Sequence, residues 1–401
     1  MIILSHRRAK LLRSTVPCAL AWAGLSLAAP ALALDPPAPI KIDGGPLGAL
    51  TVSGGLDGYV YGLSGNGNSA NPGLLATDVS AGAEFTNGLI RLQKTEGLVQ
   101  FNIALGGTSS FTLGTKPAGS SAQTLSTGPL YSGYLTLAPN ADLKISVGIL
   151  PSIEGFESPY DWRNANLMTT AAFYVENAKS QGVSVSDSFG PLSLTVTYGD
   201  GFDSGVLNYV QGLATYTINT NNALSLYGAT NLGHTGSGVH YYGSASLPYD
   251  KSYVGSGPTS AAPLVNSSVI GGYYSYTVGA LNIAPELQYV YTGADSRSGL
   301  TQFSSNFTAA LFAAYSFGKS PWSVGAWAEY FSSSGPDFWF ISPGAKGFGV
   351  SISPTWQHKA FFVRGDLGVL RLTDLGTGPG FGANGADRTQ ATAALDFGVL
   401  F

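Results

Sequence analysis

Three features of the sequence predict an all-β fold, a transmembrane antiparallel up-and-down β-barrel of about 16 strands with short turns at one end and long loops at the other. The last stretch, Arg388 to Phe401, alternates: Phe401, Val399, Phe397, Leu395, Ala393 and Ala391 share one face, and Gly398, Asp396, Ala394, Thr392 and Gln390 the other. Such a strand has one oily and one polar side. The links between strand-like segments alternate strictly between short and long. Mean hydropathy is slightly positive at +0.15, only 10% of residues are charged and 12% are aromatic. Yet no run after Ala33 approaches the roughly eighteen apolar residues of a membrane helix.

The N-terminal end carries Arg7, Arg8, Lys10 and Arg13, an apolar stretch from Ser14 to Ala29, and the small residues Ala31-Leu32-Ala33. This is the pattern of a cleaved signal peptide, residues 1–33. The single cysteine, Cys18, lies inside it, so the mature chain is expected to hold no disulfide, Cys-ligated metal or Cys nucleophile. Four of 19 basic residues and none of 23 acidic ones leave with it; 15 against 23 is a net charge of −8. Nucleic acid is not an expected partner of so acidic a chain. Residues 34–49, with four prolines, read as an extended periplasmic leader, and 50–401 as the barrel.

In chain order the expected strands are 50–63, 84–93, 98–106, 130–137, 143–149, 181–188, 191–199, 209–217, 223–231, 266–278, 283–292, 306–317, 321–331, 346–354, 358–371 and 389–401. Period-two alternation marks them. In Leu98 to Gly106, Val99, Phe101, Ile103 and Leu105 oppose Gln100, Asn102 and Ala104, and Leu192 to Gly199 and Leu143 to Ile149 repeat the pattern. The links 94–97, 138–142, 189–190, 218–222, 279–282, 318–320 and 355–357 are short and the other eight long. A membrane barrel has this asymmetry and a soluble sandwich has no need of it. An even strand count leaves both ends on the turn side, and closure removes sheet edges that a bilayer does not tolerate. Phe317, Trp322, Trp356 and Phe401 on the turn side, and Tyr198, Tyr291 and Phe331 on the loop side, read as two interfacial girdles.

The terminal Phe401 resembles the barrel-closing residue of outer-membrane barrels, where a C-terminal aromatic belongs to the signal read by the assembly machinery. Five further stretches, DGYVYGLSGNGNS at Asp57 to Ser69, LQKTEGLVQFNIALGG at Leu92 to Gly107, YLTLAPNADLKISVGILPSIEG at Tyr134 to Gly155, QGVSVSDSFGPLSLTVTYGDGF at Gln181 to Phe202 and LATYTIN at Leu213 to Asn219, together resemble the OmpL-like family of β-barrel porins. The second half matches only in style. Leu167 to Lys179 lacks the Trp and Gln expected in that family's corresponding loop. The resemblance implies a bacterial outer-membrane barrel with a pore that passes ions and small hydrophilic solutes.

The link from Leu150 to Ser180, leaving the fifth strand, is the candidate constriction. It carries Glu154, Glu157, Asp161, Arg163, Glu176 and Lys179, and its carboxylates are expected to face basic wall residues across the lumen. Strand parity points Asp57, Arg91, Lys144, Glu329, Arg364, Asp366 and Asp396 inward, with Arg364 and Asp366 close enough on one face to neutralise each other. The net charge suggests a mild cation preference. Gly54, Gly58 and Gly62 on the outer row of the first strand are a candidate seam of a homotrimer.

Two other readings stay open. One is a sealed barrel that anchors or adheres through its loops. The other is an outer-membrane hydrolase, for which His234 or His240 with Asp250 in the long link 232–265 is the available pair. That link also carries Tyr241, Tyr242, Tyr249 and Tyr253, a possible sugar platform. No phosphate loop, haem motif or calcium loop is visible, and neither a cofactor nor a metal is expected.

Overall fold

The computed structural model describes residues 34–71, 74–75, 77–120, 128–236 and 261–401. The signal-peptide reading lies outside the described residues, as do His240, Asp250 and the four tyrosines of the fifth long link. Sixteen strands form the barrel: β1 Ala49–Leu63, β2 Ala81–Lys94, β3 Val99–Thr108, β4 Leu130–Leu137, β5 Lys144–Pro151, β6 Lys179–Phe189, β7 Leu192–Asp200, β8 Leu207–Asn219, β9 Asn222–Asn231, β10 Ser268–Val278, β11 Leu281–Thr292, β12 Ser304–Ser316, β13 Trp322–Ser334, β14 Lys346–His358, β15 Phe361–Asp374 and β16 Thr389–Leu400. Each pairs antiparallel with the next, and β16 pairs with β1 in the register Thr392↔Leu63 to Leu400↔Gly55, which closes the sheet.

Closure extends past β16. Gly54 N–H donates to the Phe401 carbonyl at 2.7 Å and Phe401 N–H to the Gly54 carbonyl at 3.0 Å. A Cβ on Gly54 would stand 2.7 Å from the Phe401 ring and 2.2 Å from the Leu89 carbonyl oxygen. The first glycine of the proposed trimer seam therefore has a local reason, which is to admit the terminal ring.

Alternation sets the two faces as predicted. Along β16, Ala391, Ala393, Leu395 and Phe397 are exposed on the outside while Gln390, Thr392, Ala394 and Asp396 are buried inside. Phe331 departs from its expected place: it lies two residues from inward Glu329, shares its parity, and is fully buried in the lumen instead of joining the outer girdle. Phe317, Trp322, Tyr198 and Tyr291 are exposed on the outer surface. One turn is also displaced. Thr355, Trp356 and Gln357 continue β14, and the chain reverses at Lys359, in the left-handed conformation at φ 54, and Ala360.

The leader is folded rather than simply extended. Ile40–Asp43 pairs antiparallel with Ala49 to Val52, around a 3-10 turn at Gly45–Leu47. Upstream, Asp35 N–H donates to Gln357 of β14 at 2.8 Å, and Leu34 is buried against Phe362, Leu400 and Trp162.

Two apolar clusters occupy part of the lumen. Inward residues of β12 to β16 and β1, among them Tyr59, Trp327, Phe331 and Leu370, pack on the loop residues Phe111, Met168, Phe340 and Phe381. On the other side, Tyr209, Tyr227, Tyr273 and Val290 of β8 to β11 pack on Ile153, Val175, Phe202 and Trp339.

Candidate functional site

The third long link, between β5 and β6, does not stay outside. It crosses the interior and is bonded to strands around most of the barrel. At its start, Ile153 N–H donates to Gln211 of β8 at 3.3 Å, Tyr209 O–H to Glu154 at 3.2 Å, and Phe156 N–H to Glu286 of β11 at 3.0 Å. Further along, Asn166 donates to Ser351 of β14 at 2.9 Å, Met168 N–H to Asp366 of β15 at 2.8 Å, and Ala171 N–H to Glu329 of β13 at 2.8 Å. The Met168 carbonyl accepts from Trp327 at 2.7 Å, and Met168-Thr169 forms a two-residue parallel strand with Phe111-Thr112 of the second long link. Backbone N–H groups of an irregular segment need acceptors once buried, and wall carboxylates supply them.

Asp161 is the strongest tether. It is buried on Arg364 of β15, whose Nη2 lies 3.2 Å from Asp161 and 2.7 Å from Asp396, while Nη1 donates to the carbonyls of Asp161 and Asn164 at 3.0 and 3.1 Å. Asn87 of β2 bridges the other side, donating to Asp161 at 2.6 Å and Asp57 at 3.0 Å. The carboxylates of Asp57, Asp161 and Asp396 come within 4.8 Å of one another around this guanidinium. Arg364 thus pairs with a loop residue and the neighbouring strand. The expected ion pair with Asp366 does not form, because Asp366 is taken up by Met168 N–H and the Ser351 hydroxyl.

Of the four loop acids, among the described residues only Asp161 meets a wall base, Arg364, as expected. Glu154, Glu157 and Glu176 turn toward the wall that bears Glu286 and Glu329. Burial raises the Glu154 carboxyl to about 7. Burial likewise holds Glu157 well above the usual carboxylate range, with Glu286 and Glu329 adding repulsion. Glu176 is raised by burial and then by Glu286, Glu154 and Glu157, and accepts a hydrogen bond from Gln288 at 2.7 Å. Such carboxyls are held as acids and acceptors, not as a screen of negative charge. The possibility that the loop's charges merely solvate an outer surface is overturned by the burial of Glu154, Asp161 and Glu176.

The basic residues gather in another sector. Arg91 of β2 and Arg163 of the loop lie over the Tyr160 ring, 5.1 and 5.3 Å from its centroid, and Tyr160 stacks on Trp162 at 5.7 Å. Lys179 is the first residue of β6, not a loop residue, and its buried ammonium lies 5.6 Å from the centre of Tyr131. Lys144 lines a recess of roughly 400 Å³ with Lys94, Gln100 and Tyr134 near the turn end of β2 to β5. All seven wall positions read from parity face inward. Glu286 was missed, although the same alternation with Asn282 and Gln288 identifies it. The roles of Asn87, Tyr131 and Tyr160 carry no sequence signal.

At the loop rim, His234, Asp295 and Ser298 come together, but Asp295 and the Ser298 hydroxyl both contact the same His nitrogen, Nδ1, each at 2.9 Å. A serine hydrolase needs the acid and the nucleophile on opposite ring nitrogens. Asp295 is held well below the ordinary carboxylate range, chiefly by its bonds to Arg297.

Comparison with solved structures places the fold among porins. An anion-selective porin from Comamonas acidovorans superposes with a TM-score of 0.58 at 14% identity, covering 88% of this chain and 99% of that one. The outer-membrane-expressed OmpT of Vibrio cholerae gives 0.55 at 11% identity, covering 91% and 100%. A trimer form of OmpT gives 0.53 at 10%, covering 88% and 99%. No curated protein sequence matches the chain. The family model described as "Putative beta-barrel porin-2, OmpL-like" matches residues 49–401, the whole barrel, and the chain belongs to that family.

Proposed function

We propose that this protein is a diffusion porin of the bacterial outer membrane, passing ions and small hydrophilic solutes through a channel narrowed by the loop of residues 152–178. The observation that carries this reading is the course of that loop. It is hydrogen-bonded to inward residues of β2, β3, β8, β11, β13, β14 and β15, and leaves the polar inner face mainly of β4 to β7 as the wall of a passage. Sixteen strands enclose enough space for water beside one folded segment. Export by cleavage after Ala33, assembly through the machinery that reads Phe401, contact with outer-membrane lipid and a homotrimeric state belong to the same reading.

Single-channel recording of the refolded mature chain in a planar bilayer tests it. Discrete, long-lived steps are expected, and deletion of Pro159 to Leu167 should enlarge them at least about twofold if the segment obstructs the lumen. The two apolar clusters inside the barrel favour the alternative of a sealed, adhesive barrel, for which a folded and electrically silent protein is the signature.

A further inference from the structure

We propose that the passage selects small anions such as chloride or a carboxylate, and that Arg91 and Arg163, both lying over the Tyr160 ring, impose the selection. The inference rests on the porin reading and names its solute class. It follows from where the charged side chains stand. The apolar clusters take up the sectors from β8 to β11 and from β12 round to β1. The polar wall that remains lies mainly on β4 to β7, since Leu89 of β2, Ala104 of β3 and Tyr131 of β4 pack on Tyr160 of the loop. Its inward side chains include small hydroxyls bonded in pairs across neighbouring strands: Thr136 with Ser146 at 2.8 Å, Ser184 with Thr197 at 3.0 Å, and Ser186 with Thr195 at 3.0 Å. These pairs are polar and uncharged.

The cations that border this wall are Arg91, Arg163 and Lys144; the Lys94 ammonium is turned to the carbonyls of Glu96 and Val99. Arg91 and Arg163 are half-buried, and among the described residues no carboxylate lies within ion-pair distance of Arg91. Burial and the neighbouring Arg91 lower Arg163 to about 10, so it still carries its charge at neutral pH. Lys94 and Lys144 line the turn-side recess together with amides, hydroxyls and aromatic rings and no acid. Lys179 contributes less, because Asp200 and Asp203 lie near it.

Glu84 of β2, opposite Tyr59, is a half-buried inward acid, and most of the other lumen acids are committed elsewhere. Asp161 and Asp396 hold Arg364, Asp57 holds Asn87, and Glu286, Glu329 and Asp366 hold backbone N–H groups of the loop. The net charge of −8 expected for the mature chain therefore says little about the passage, whose field is set by the charged groups nearest to it. The Tyr160 face, stacked on Trp162, attracts both guanidinium groups.

The test is the reversal potential of the refolded mature chain under a potassium chloride gradient. Chloride is expected to permeate more readily than potassium by about threefold or more. Arg91→Gln with Arg163→Gln should bring the ratio to about one, whereas the double Lys variant should keep most of it, because charge rather than geometry sets the preference. Arg91→Gln alone leaves the loop untouched and should lower the ratio about twofold, which keeps the test decisive if the double variant does not fold. A wild-type channel that prefers potassium, or a ratio unmoved by Arg91→Gln, overturns the proposal while leaving the porin reading intact. A folded protein without conductance overturns the porin reading itself.

Discussion

Arg364 shows how much one side chain organises. It is fully buried, and its donors reach two carboxylates and two loop carbonyls. Removing one member of a buried ion pair leaves the others as uncompensated charge, which costs about 3–5 kcal/mol. Arg364→Met should therefore destabilise the loop's attachment by that order, seen as new protease cleavage near Asp161 in the refolded protein. Cleavage unchanged from wild type would mean that the wall carboxylates alone hold the segment. Parity placed Arg364, Asp366 and Asp396 inward correctly, since alternation is a local property. The loop partners of Arg364 and Asp366 lie about two hundred residues away and were invisible to it.

At the scale of the element, the crossing loop is a segment whose backbone is satisfied in part by wall acids and whose Glu154, Glu157 and Glu176 carboxyls are raised by burial. The sign of the pH dependence follows from the raised carboxyls. An acid that is protonated in the docked state and ionised when released binds more protons when docked, so docking is strongest below its ordinary value near 4.5 and weakens as pH rises toward about 7, the value for Glu154. Above that, ionised Glu154, Glu157 and Glu176 repel one another and Glu286. Conductance noise or loop proteolysis should increase between about pH 5 and pH 8, and Glu154→Gln should flatten the lower part of that rise. A flat profile in the wild-type protein would remove the loop carboxyls from the docking equilibrium. The strands were legible from the alternation of an apolar outer face with a buried inner one. The turn at Lys359 was misplaced by a few residues because Thr355 to Gln357 looks like polar turn composition, while pairing with β15 carries β14 onward through Trp356↔Val363.

For the whole molecule, closure between β1 and β16 turns an open sheet into a barrel with an apolar outer surface. Leu395 sits near the middle of β16 with its side chain outward. Leu395→Arg should cost about 2–4 kcal/mol in lipid vesicles, measured by denaturant unfolding, because a guanidinium at the bilayer midplane is poorly solvated. A cost near zero would put that position outside the hydrocarbon region. Lumen substitutions at Thr392 or Gln390, on the opposite parity, belong to a different environment and should be tolerated more easily in lipid.

The sequence by itself determined the barrel: its strand number, its alternating faces and the order of short and long links. These depend on periodicity and on link length, which are local and repeat sixteen times. Only the tertiary structure decided how the interior is divided. It brought Glu154, Glu157 and Glu176 against wall acids, tied Asp161 to Arg364, buried Phe331 and Trp327 with loop residues, and collected Arg91, Arg163 and Lys144 in the remaining sector. The physical reason is that the loop contacts depend on which strands stand opposite one another across a closed sheet, and on which carboxylates its buried N–H groups can reach. Neither quantity has a period along the chain.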